Sequence, residues 1–235
     1  MLGSILLQDD FNDGNDDGWN IIRGNWEVVD GQYGTTVENS FSLAETQAGD
    51  YSWSDYEFEV DLTVITGVDK NIFFRSNEER SIYGDGVHEW NWPTGYGLHV
   101  TSEKINLRKF LPSTSSRVDF INFSFPPGHS HRLKIRVMGK NIKVYCDGNL
   151  LIDFIDASEN PFLTGRIALG ASTGVISPTK VWYDNVVVTG LEPIPTPTPT
   201  PALNPLILIP GMGGSWNHEK IQSRSTFAFR KRLRL

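Results

Sequence analysis

Trp90 and Trp92 flank Asn91 in a Gly/Pro-rich stretch that reads as a loop, Gly84 to Gly95, and His88 and Glu89 stand just before them. In an extended segment, residues two apart share a side, so both indole rings can face one way. Flat aromatic faces beside planar amide and carboxyl groups suit a ligand with apolar C–H faces and adjacent hydroxyls, the surface that a sugar ring presents. Arg75 ends the apolar run Ile72-Phe73-Phe74, and its rigid fork suits vicinal hydroxyls or a carboxylate. Tyr96, His99 and Arg108 join this candidate set on strands expected beside Arg75. Each assignment has a plainer alternative. The tryptophans can pack over the edge of the fold, Arg75 can pair with Glu57, Glu59 or Asp61, and His99 can be a hydrogen-bonded sheet residue.

Three other groupings imitate reactive or metal-binding patterns. Asp13-Gly14-Asn15-Asp16-Asp17-Gly18 fits the first half of a calcium loop. The twelfth position would be Gly24, where a bidentate Glu is needed, so a solvated polar turn is expected. Gly170-Ala171-Ser172-Thr173-Gly174 matches G-x-S-x-G, and Asp184 and His218 follow in hydrolase order. That motif must turn from a strand into a helix, whereas Val175-Ile176-Ser177-Pro178 leads to another strand. A strand-to-loop turn is therefore expected. The single cysteine, Cys146, shares an alternating face with Ile142 and Val144 and reads as a buried, inert thiol.

The elements that position these residues are strands. Helical periodicity is almost absent, while period-2 alternation recurs. Glu57-Phe58-Glu59-Val60-Asp61-Leu62-Thr63-Val64 puts polar residues on one face and apolar residues on the other. Arg132-Leu133-Lys134-Ile135-Arg136-Val137 repeats the pattern with opposite charge, and Asn141-Ile142-Lys143-Val144-Tyr145 repeats it again. Asp30-Gly31 and Asp147-Gly148 sit between such runs and predict tight hairpins, because Gly accepts positive φ. Gly139-Lys140 predicts another turn. About twelve to fourteen short strands, with no crossover helices, fit an all-β fold of two antiparallel sheets packed face to face.

Composition sets outer bounds. The 235 residues carry a net charge of −7, so nothing in the main body would neutralise phosphates and no nucleic-acid partner is expected. An apolar fraction of 39%, with 7 Trp, 7 Tyr and 13 Phe, supplies a sizeable core. One cysteine excludes an intrachain disulfide without fixing the compartment. No run approaches the roughly 20 apolar residues of a membrane helix, so no transmembrane segment is expected. Met1 to Leu7 is too short for a secretory signal.

Several motifs, in their order, resemble a known family. Asp9-Asp10-Phe11-Asn12-Asp13, Trp19 and Gly24-Asn25-Trp26-Glu27-Val28-Val29-Asp30-Gly31 are similar to the start of a concanavalin A-like, laminin-G-like domain. Trp53 to Val60, Asn71 to Arg75, Gly95 to His99 and the closing Trp182-Tyr183-Asp184-Asn185-Val186-Val187-Val188 continue the likeness over roughly residues 5 to 190. The resemblance implies a two-sheet antiparallel jelly-roll β-sandwich of a type often used as a carbohydrate-binding module, with a glycan or polysaccharide as partner. It also implies a structural calcium between the first and last strands, where Asp10 and Asp184 match. One branch, the 3-keto-disaccharide hydrolase-like domains, carries Gly-Tyr-Glu-Val-Gln at a central strand. Here Gly97 stands at the Glu position and His99 at the Gln position, which favours binding without catalysis. The alternatives are a jelly-roll glycoside hydrolase, using a carboxylate pair from Glu57, Glu59 and Asp61, and a structural or adhesion domain without a small ligand.

The expected organisation is a sandwich over 1-190, a Pro-Thr-rich linker over 191-204 and a separate piece over 205-235. Pro193 to Pro201 alternates Pro with Thr and reads as an extended spacer without a fixed fold. Leu206-Ile207-Leu208-Ile209-Pro210-Gly211-Met212-Gly213-Gly214 resembles the first strand and Gly-rich turn of α/β-hydrolase lipases. By that resemblance Gly211, Met212 and Gly213 are the remnant of an oxyanion loop. Too few residues follow to complete such a fold, and Ser223 to Leu235 is a tail of basic residues mixed with Phe and Leu. The whole reads as an extracellular or cell-surface module, monomeric, that targets an attached lipase-like hydrolase to a glycan surface.

Overall fold

The computed structural model describes residues 2–84, 87–175 and 178–192. Residues from Pro193 onward, including Gly211, Met212, Gly213 and His218, lie outside the described residues. The described residues form strands and no helix. In chain order they are β1 (Leu2–Asp9), β2 (Trp19–Arg23), β3 (Trp26–Val29), β4 (Gln32–Val37), β5 (Leu43–Ala48), β6 (Tyr56–Thr66), β7 (Asp69–Ser76), β8 (Arg80–Gly84) and β9 (Glu89–Pro93). There follow β10 (Gly95–Val100), β11 (Lys104–Leu111), β12 (Thr114–Asn122), β13 (Ser130–Met138), β14 (Asn141–Cys146), β15 (Asn149–Ile155), β16 (Arg166–Ser172) and β17 (Thr179–Leu191).

Two large antiparallel sheets hold fifteen of these strands between them. One has the order β15-β14-β13-β6-β17-β4-β3, with β1 pairing the distal half of β17. The other has the order β12-β11-β10-β7-β16-β5-β2, and β8 and β9 form a separate hairpin. The alternation read from the sequence sets the inner faces. Phe58, Val60 and Leu62 of β6, Leu133, Ile135 and Val137 of β13, and Ile142, Val144 and Cys146 of β14 are fully buried. They meet Ile72 and Phe74 of β7, Leu98 and Val100 of β10, and Ile167 and Leu169 of β16 from the other sheet, in one continuous core. The expected hairpin turns form, with Asp30 at φ 51° and Gly31 at φ 75°.

Alternation also sets the outer face of the first sheet. Arg132, Lys134 and Arg136 lie directly opposite Asp61, Glu59 and Glu57. Arg132 contacts Asp61 at 3.1 Å and Glu59 at 3.3 Å, Lys134 reaches Glu59 at 3.4 Å, and Arg136 reaches Glu57 at 3.4 Å. Such cross-strand pairs fix register more than they add stability.

Buried polar groups tie the sheets to the loops. The Tyr183 hydroxyl crosses from β17 to the carbonyls of Gly170 at 2.8 Å and Asn71 at 3.2 Å. Lys109 donates to Asp156 Oδ2 at 2.7 Å, to Ser158 Oγ at 2.7 Å and to the Asn160 carbonyl at 2.8 Å. The Tyr96 hydroxyl donates to the same carboxylate oxygen. Burial raises the Asp156 pKa, but the hydrogen bonds from Lys109, Ser158 and Tyr96 outweigh it and hold the carboxyl well below its ordinary 3.8.

A depressed carboxyl pKa gives stability that is present above the unfolded value and is lost as pH falls through the folded one. Melting temperature should therefore decline below about pH 4, with Asp156 contributing to the acid limb. Asp156→Asn should cost on the order of 3 kcal/mol near neutrality and flatten that limb. Thermal melts of both proteins across pH 2–7 check this, and parallel acid limbs would contradict it.

Candidate functional site

The outer face of the seven-stranded sheet differs from the charged outer face opposite. Asn71 and Phe73 of β7, Gly97 and His99 of β10, Arg108 and Phe110 of β11, and Ala168, Gly170 and Ser172 of β16 alternate onto it. At Gly97 and Gly170 the sheet carries no side chain. A Cβ at Gly97 would lie 2.8 Å from the Phe73 ring and 3.1 Å from the Phe110 ring. At Gly170 it would lie 3.0 Å from the Trp92 ring. Trp92, Phe73, Phe110 and Ala168 form a second apolar cluster on this face, with Leu43, Tyr83 and Trp90 packed around it. Trp92 and Phe73 have ring centroids 5.0 Å apart, and Phe73 and Phe110 5.3 Å.

The β8–β9 hairpin brings Tyr83, Trp90 and Trp92 over the face. Arg80 anchors it through two bonds to the fully buried Glu45, Nη1 to Oε1 at 2.9 Å and Nη2 to Oε2 at 2.5 Å. Its Nε donates to Asn91 Oδ1 at 2.8 Å. Ser81 Oγ donates to the Thr114 carbonyl at 3.1 Å, and the Ile82 N–H to the Pro112 carbonyl at 2.9 Å.

Between hairpin and sheet lies a hollow of about 210 Å3, lined by Asp69, Asn71, Tyr83, Trp90, Trp92, His99, Arg108, Phe110 and Ser172. Its polar side is built from neighbouring strands. His99 Nε2 meets Asp69 Oδ1 at 2.6 Å, with 24% and 21% of the two side chains exposed. Ser172 Oγ stands 3.5 Å from Asp69 Oδ2. Arg108 Nη2 donates to Ser115 Oγ at 2.7 Å. Asn71 is only 4% exposed, and its Nδ2 has no hydrogen-bond partner. A buried donor without a partner costs about 1–3 kcal/mol, which a ligand oxygen would recover. Burial pushes the Tyr83 phenol pKa up, so it stays a neutral hydroxyl.

The profile of the 3-keto-alpha-glucoside-1,2-lyase-like domain matches residues 7–189. The chain belongs to that family. Among curated proteins this lyase-like domain is 28% identical, over 159 residues, to an extracellular exo-alpha-L-arabinofuranosidase of Streptomyces chartreusis. The match takes in 66% of the chain and 18% of that protein. The chain thus spans about a fifth of the length of the curated relatives it matches. Among solved structures it is similar to the carbohydrate-binding module CBM66 from Bacillus subtilis, with a TM-score of 0.57 and 20% identity over 73% of this chain and 95% of that one. It is also similar to the VIP36 exoplasmic/lumenal domain in its Ca2+/Man3GlcNAc-bound form, with a TM-score of 0.62 and 14% identity over 83% and 92%. At these identities the likeness establishes the carbohydrate-binding-module-like jelly-roll fold.

In this lyase-like domain Trp90, Trp92, His99 and Arg108 all line the hollow. Trp92 is a wall rather than an open platform, since only 3% of it is exposed. Two candidates are corrected. Arg75 is 1% exposed and sits at φ 48° in a bulge where β7 gains a residue relative to β16. That bulge turns its guanidinium away from the hollow. Its Nη2 donates to the Ser54 carbonyl at 3.0 Å and Asp55 Oδ1 at 3.1 Å, and its Nη1 to the carbonyls of Gly139 at 2.5 Å and Phe162 at 3.0 Å. Tyr96 faces the core beside Leu98, on the opposite side of β10 from His99, and its hydroxyl is held by Asp156 and the Phe162 N–H. Sequence reasoning missed Asp69, Asn71, Tyr83, Phe110 and Ser172. Period 2 reveals two of them, since Asn71 precedes the outward Phe73 by two and Phe110 follows Arg108 by two.

The two proposed metal ligands lie near the junction of β1 and β17. Asp10 is exposed and accepts the Asn12 N–H at 3.2 Å. Asp184 accepts the Asn185 N–H at 2.6 Å, just before a β17 bulge in which Asn185 takes φ 49°. A neighbouring hollow is lined by Gln8, Asp9, Asp10, Asp61, Arg132, Asn185, Val186 and Val187. Burial, together with the charges of Asp61 and Asp10, raises the Asp184 pKa.

Arg75→Ala should destabilise the fold by about 3 kcal/mol, a fall of roughly 6–12 °C in melting temperature, because it strips donors from buried carbonyls. Arg75→Lys should recover little, since an ammonium cannot span four acceptors. Calorimetry of both variants checks this, and an unshifted Arg75→Ala transition would refute the structural role.

Proposed function

We propose that this lyase-like domain is a non-catalytic carbohydrate-binding module whose hollow takes one sugar ring. The carrying observation is a hollow with aromatic walls (Tyr83, Trp90, Trp92, Phe110) and a polar side whose buried Asn71 amide has an unused donor. Trp90 stacks on the C–H face of the ring, while Asn71, Arg108 and the His99–Asp69 pair take its hydroxyls. The kinship with carbohydrate-active proteins supports the ligand class.

Gly97 supports binding over hydrolysis. The family resemblance places a Glu there, yet its Cβ would collide with Phe73 and Phe110. Of the residues lining the hollow, Asp69 is the one carboxylate, and glycosidic hydrolysis ordinarily uses two. Glu57, Glu59 and Asp61 are instead engaged by Arg132, Lys134 and Arg136. A second reading rests on His99 and Asp69, whose 2.6 Å contact within the hollow is the arrangement of a general base and its orienting acid.

The module is extracellular in this reading, since the curated arabinofuranosidase relative is, and the reading takes it as a monomer. Through the Pro193–Pro201 spacer it holds an attached lipase-like hydrolase at a glycan surface by raising effective concentration. A calcium ion would be held by Asp10 and Asp184 with Asp61 close by. The donor set fits, because hard carboxylate oxygens gather where an added positive charge relieves their repulsion. Bound there, the ion would brace the first strand against the last.

On a glycan array carrying levan and arabinan fragments, the protein should bind a defined subset. Trp90→Ala and Arg108→Ala should each weaken titrated binding tenfold or more, about 1.4 kcal/mol, without lowering the melting temperature. Retained binding in both variants would remove the hollow as the site. Sugar release by the intact protein, abolished in His99→Ala, would favour the second reading instead. For calcium, adding EGTA should lower the melting temperature of the parent and leave Asp184→Asn unchanged. Superimposable parent melts with and without EGTA would eliminate the ion.

A further inference from the structure

His131, Cys146 and Asp147 meet at one end of the β13–β14 pair, outside the hollow beneath the β8–β9 hairpin. The register pairs Leu133 with Cys146, so His131 and the Asp147 turn come together beyond it. One imidazole nitrogen, the Cys146 sulfur and one Asp147 carboxylate oxygen lie within 4.8 Å of one another. His131 Nδ1 meets Asp147 Oδ2 at 2.8 Å, while His131 Nε2 is buried and has no hydrogen-bond partner. The ring therefore makes one of the two polar contacts that a histidine can make. Phe123 and Phe125 flank it with their ring planes near perpendicular to its own, centroids 5.5 and 5.1 Å away. Asp147 Oδ1 accepts the Arg132 N–H at 2.9 Å, which orients the carboxylate.

We propose that His131, Cys146 and Asp147 form a binding site for a borderline divalent transition metal, of which Zn2+ is the representative. The donor set of one imidazole, one thiolate and one carboxylate is that of zinc and its relatives rather than of calcium or magnesium. The Arg132 N–H is the outer-shell partner that fixes the carboxylate ligand. Donors around tetrahedral zinc stand roughly 3.3–3.7 Å apart, so the His131–Asp147 contact must open by less than an ångström. Asp147 is exposed and gives the ion a way in. Three protein donors leave a fourth position for water.

Burial, with the adjacent Asp147 carboxylate, pushes the Cys146 thiol up to about 12, so it is protonated at neutral pH. Binding then exchanges one proton for one metal–sulfur bond. The ion takes the thiolate electron pair, the thiol proton leaves to solvent, and nothing is oxidised or reduced.

Co2+ is the probe, titrated into the purified full chain under reducing conditions. One equivalent should produce a thiolate-to-cobalt charge-transfer band in the near ultraviolet, release a proton, and be displaced by Zn2+. Cys146→Val keeps an apolar side chain in the core and should lack the band while retaining its melting temperature. Should that variant fail to fold, Asp147→Asn at the exposed turn serves instead and should weaken binding tenfold or more. Absence of the band in the parent, or an unweakened band in a folded variant, would overturn the site.

Discussion

Trp92 lies against sheet backbone at the place where the seven-stranded sheet has no side chains of its own. A Cβ at Gly170 would meet the indole at 3.0 Å, and one at Gly97 would meet the two phenylalanine rings beside it. That gap lets a large ring sink into an outer sheet face that would otherwise be open to water. Full burial of an aromatic ring of this size contributes about 3 kcal/mol by transfer bookkeeping. It adds to the Arg80–Glu45 and Ser81–Thr114 bonds in holding a short hairpin whose strands pair only with each other. The hairpin supplies Tyr83, Trp90 and Trp92, so the hollow exists because two residues of the sheet are glycine. The same gap bears on reactivity, since a carboxylate at position 97 and the aromatic floor require the same volume.

The floor stays in place because the strands carrying it are tied from beneath and at the rim. Tyr183 reaches across the core to the carbonyls of Asn71 and Gly170, on two of the four strands that underlie the hollow. At one rim Arg75 gathers carbonyls from three separate loops, and Lys109 with Tyr96 secures the loop around Asp156. The Arg75 and Lys109 networks each bury a charge and satisfy it with several partners. Removing one member would therefore leave several groups unsatisfied at once. A floor held in this way loses little conformational freedom when a ligand arrives, which favours affinity from few contacts.

The sandwich was legible because each strand advertises its inner face. β6, β13 and β14 alternate cleanly, and the opposite charges of β6 and β13 even state which strands are neighbours. The shared side of Trp90 and Trp92 was legible from their spacing of two, although the stretch reads as a loop and the structure makes it a strand. Arg75 was not, because a single residue at positive φ reverses the side on which alternation places it. Tyr96 and His99 are three apart on one strand, so only one of them could reach the hollow, and simple counting decides that. That Asp69 and Asn71 meet Ser172 depends on which strands neighbour which, and no local pattern carries that information. The same limit hid the meeting of His131 with Cys146, which follows from register between β13 and β14.

A two-sheet sandwich offers two outer faces for a ligand, and these two differ in what is left over after folding. On β6 and β13 the acids and bases face one another in register, so each cation there already has a carboxylate within reach. A ligand on that face would have to break such pairs and recover their loss. On β7, β10, β11 and β16 most side chains are small, aromatic or amide, with His99 paired to Asp69 and Arg108 bonded to Ser115, and a buried donor on Asn71 remains unpaired. Hydroxyl groups of a neutral ligand can add bonds there without displacing any. The proposed direction of recognition therefore follows from an imbalance in polar satisfaction between the two faces, and the hairpin over the second face gives that imbalance the shape of a hollow.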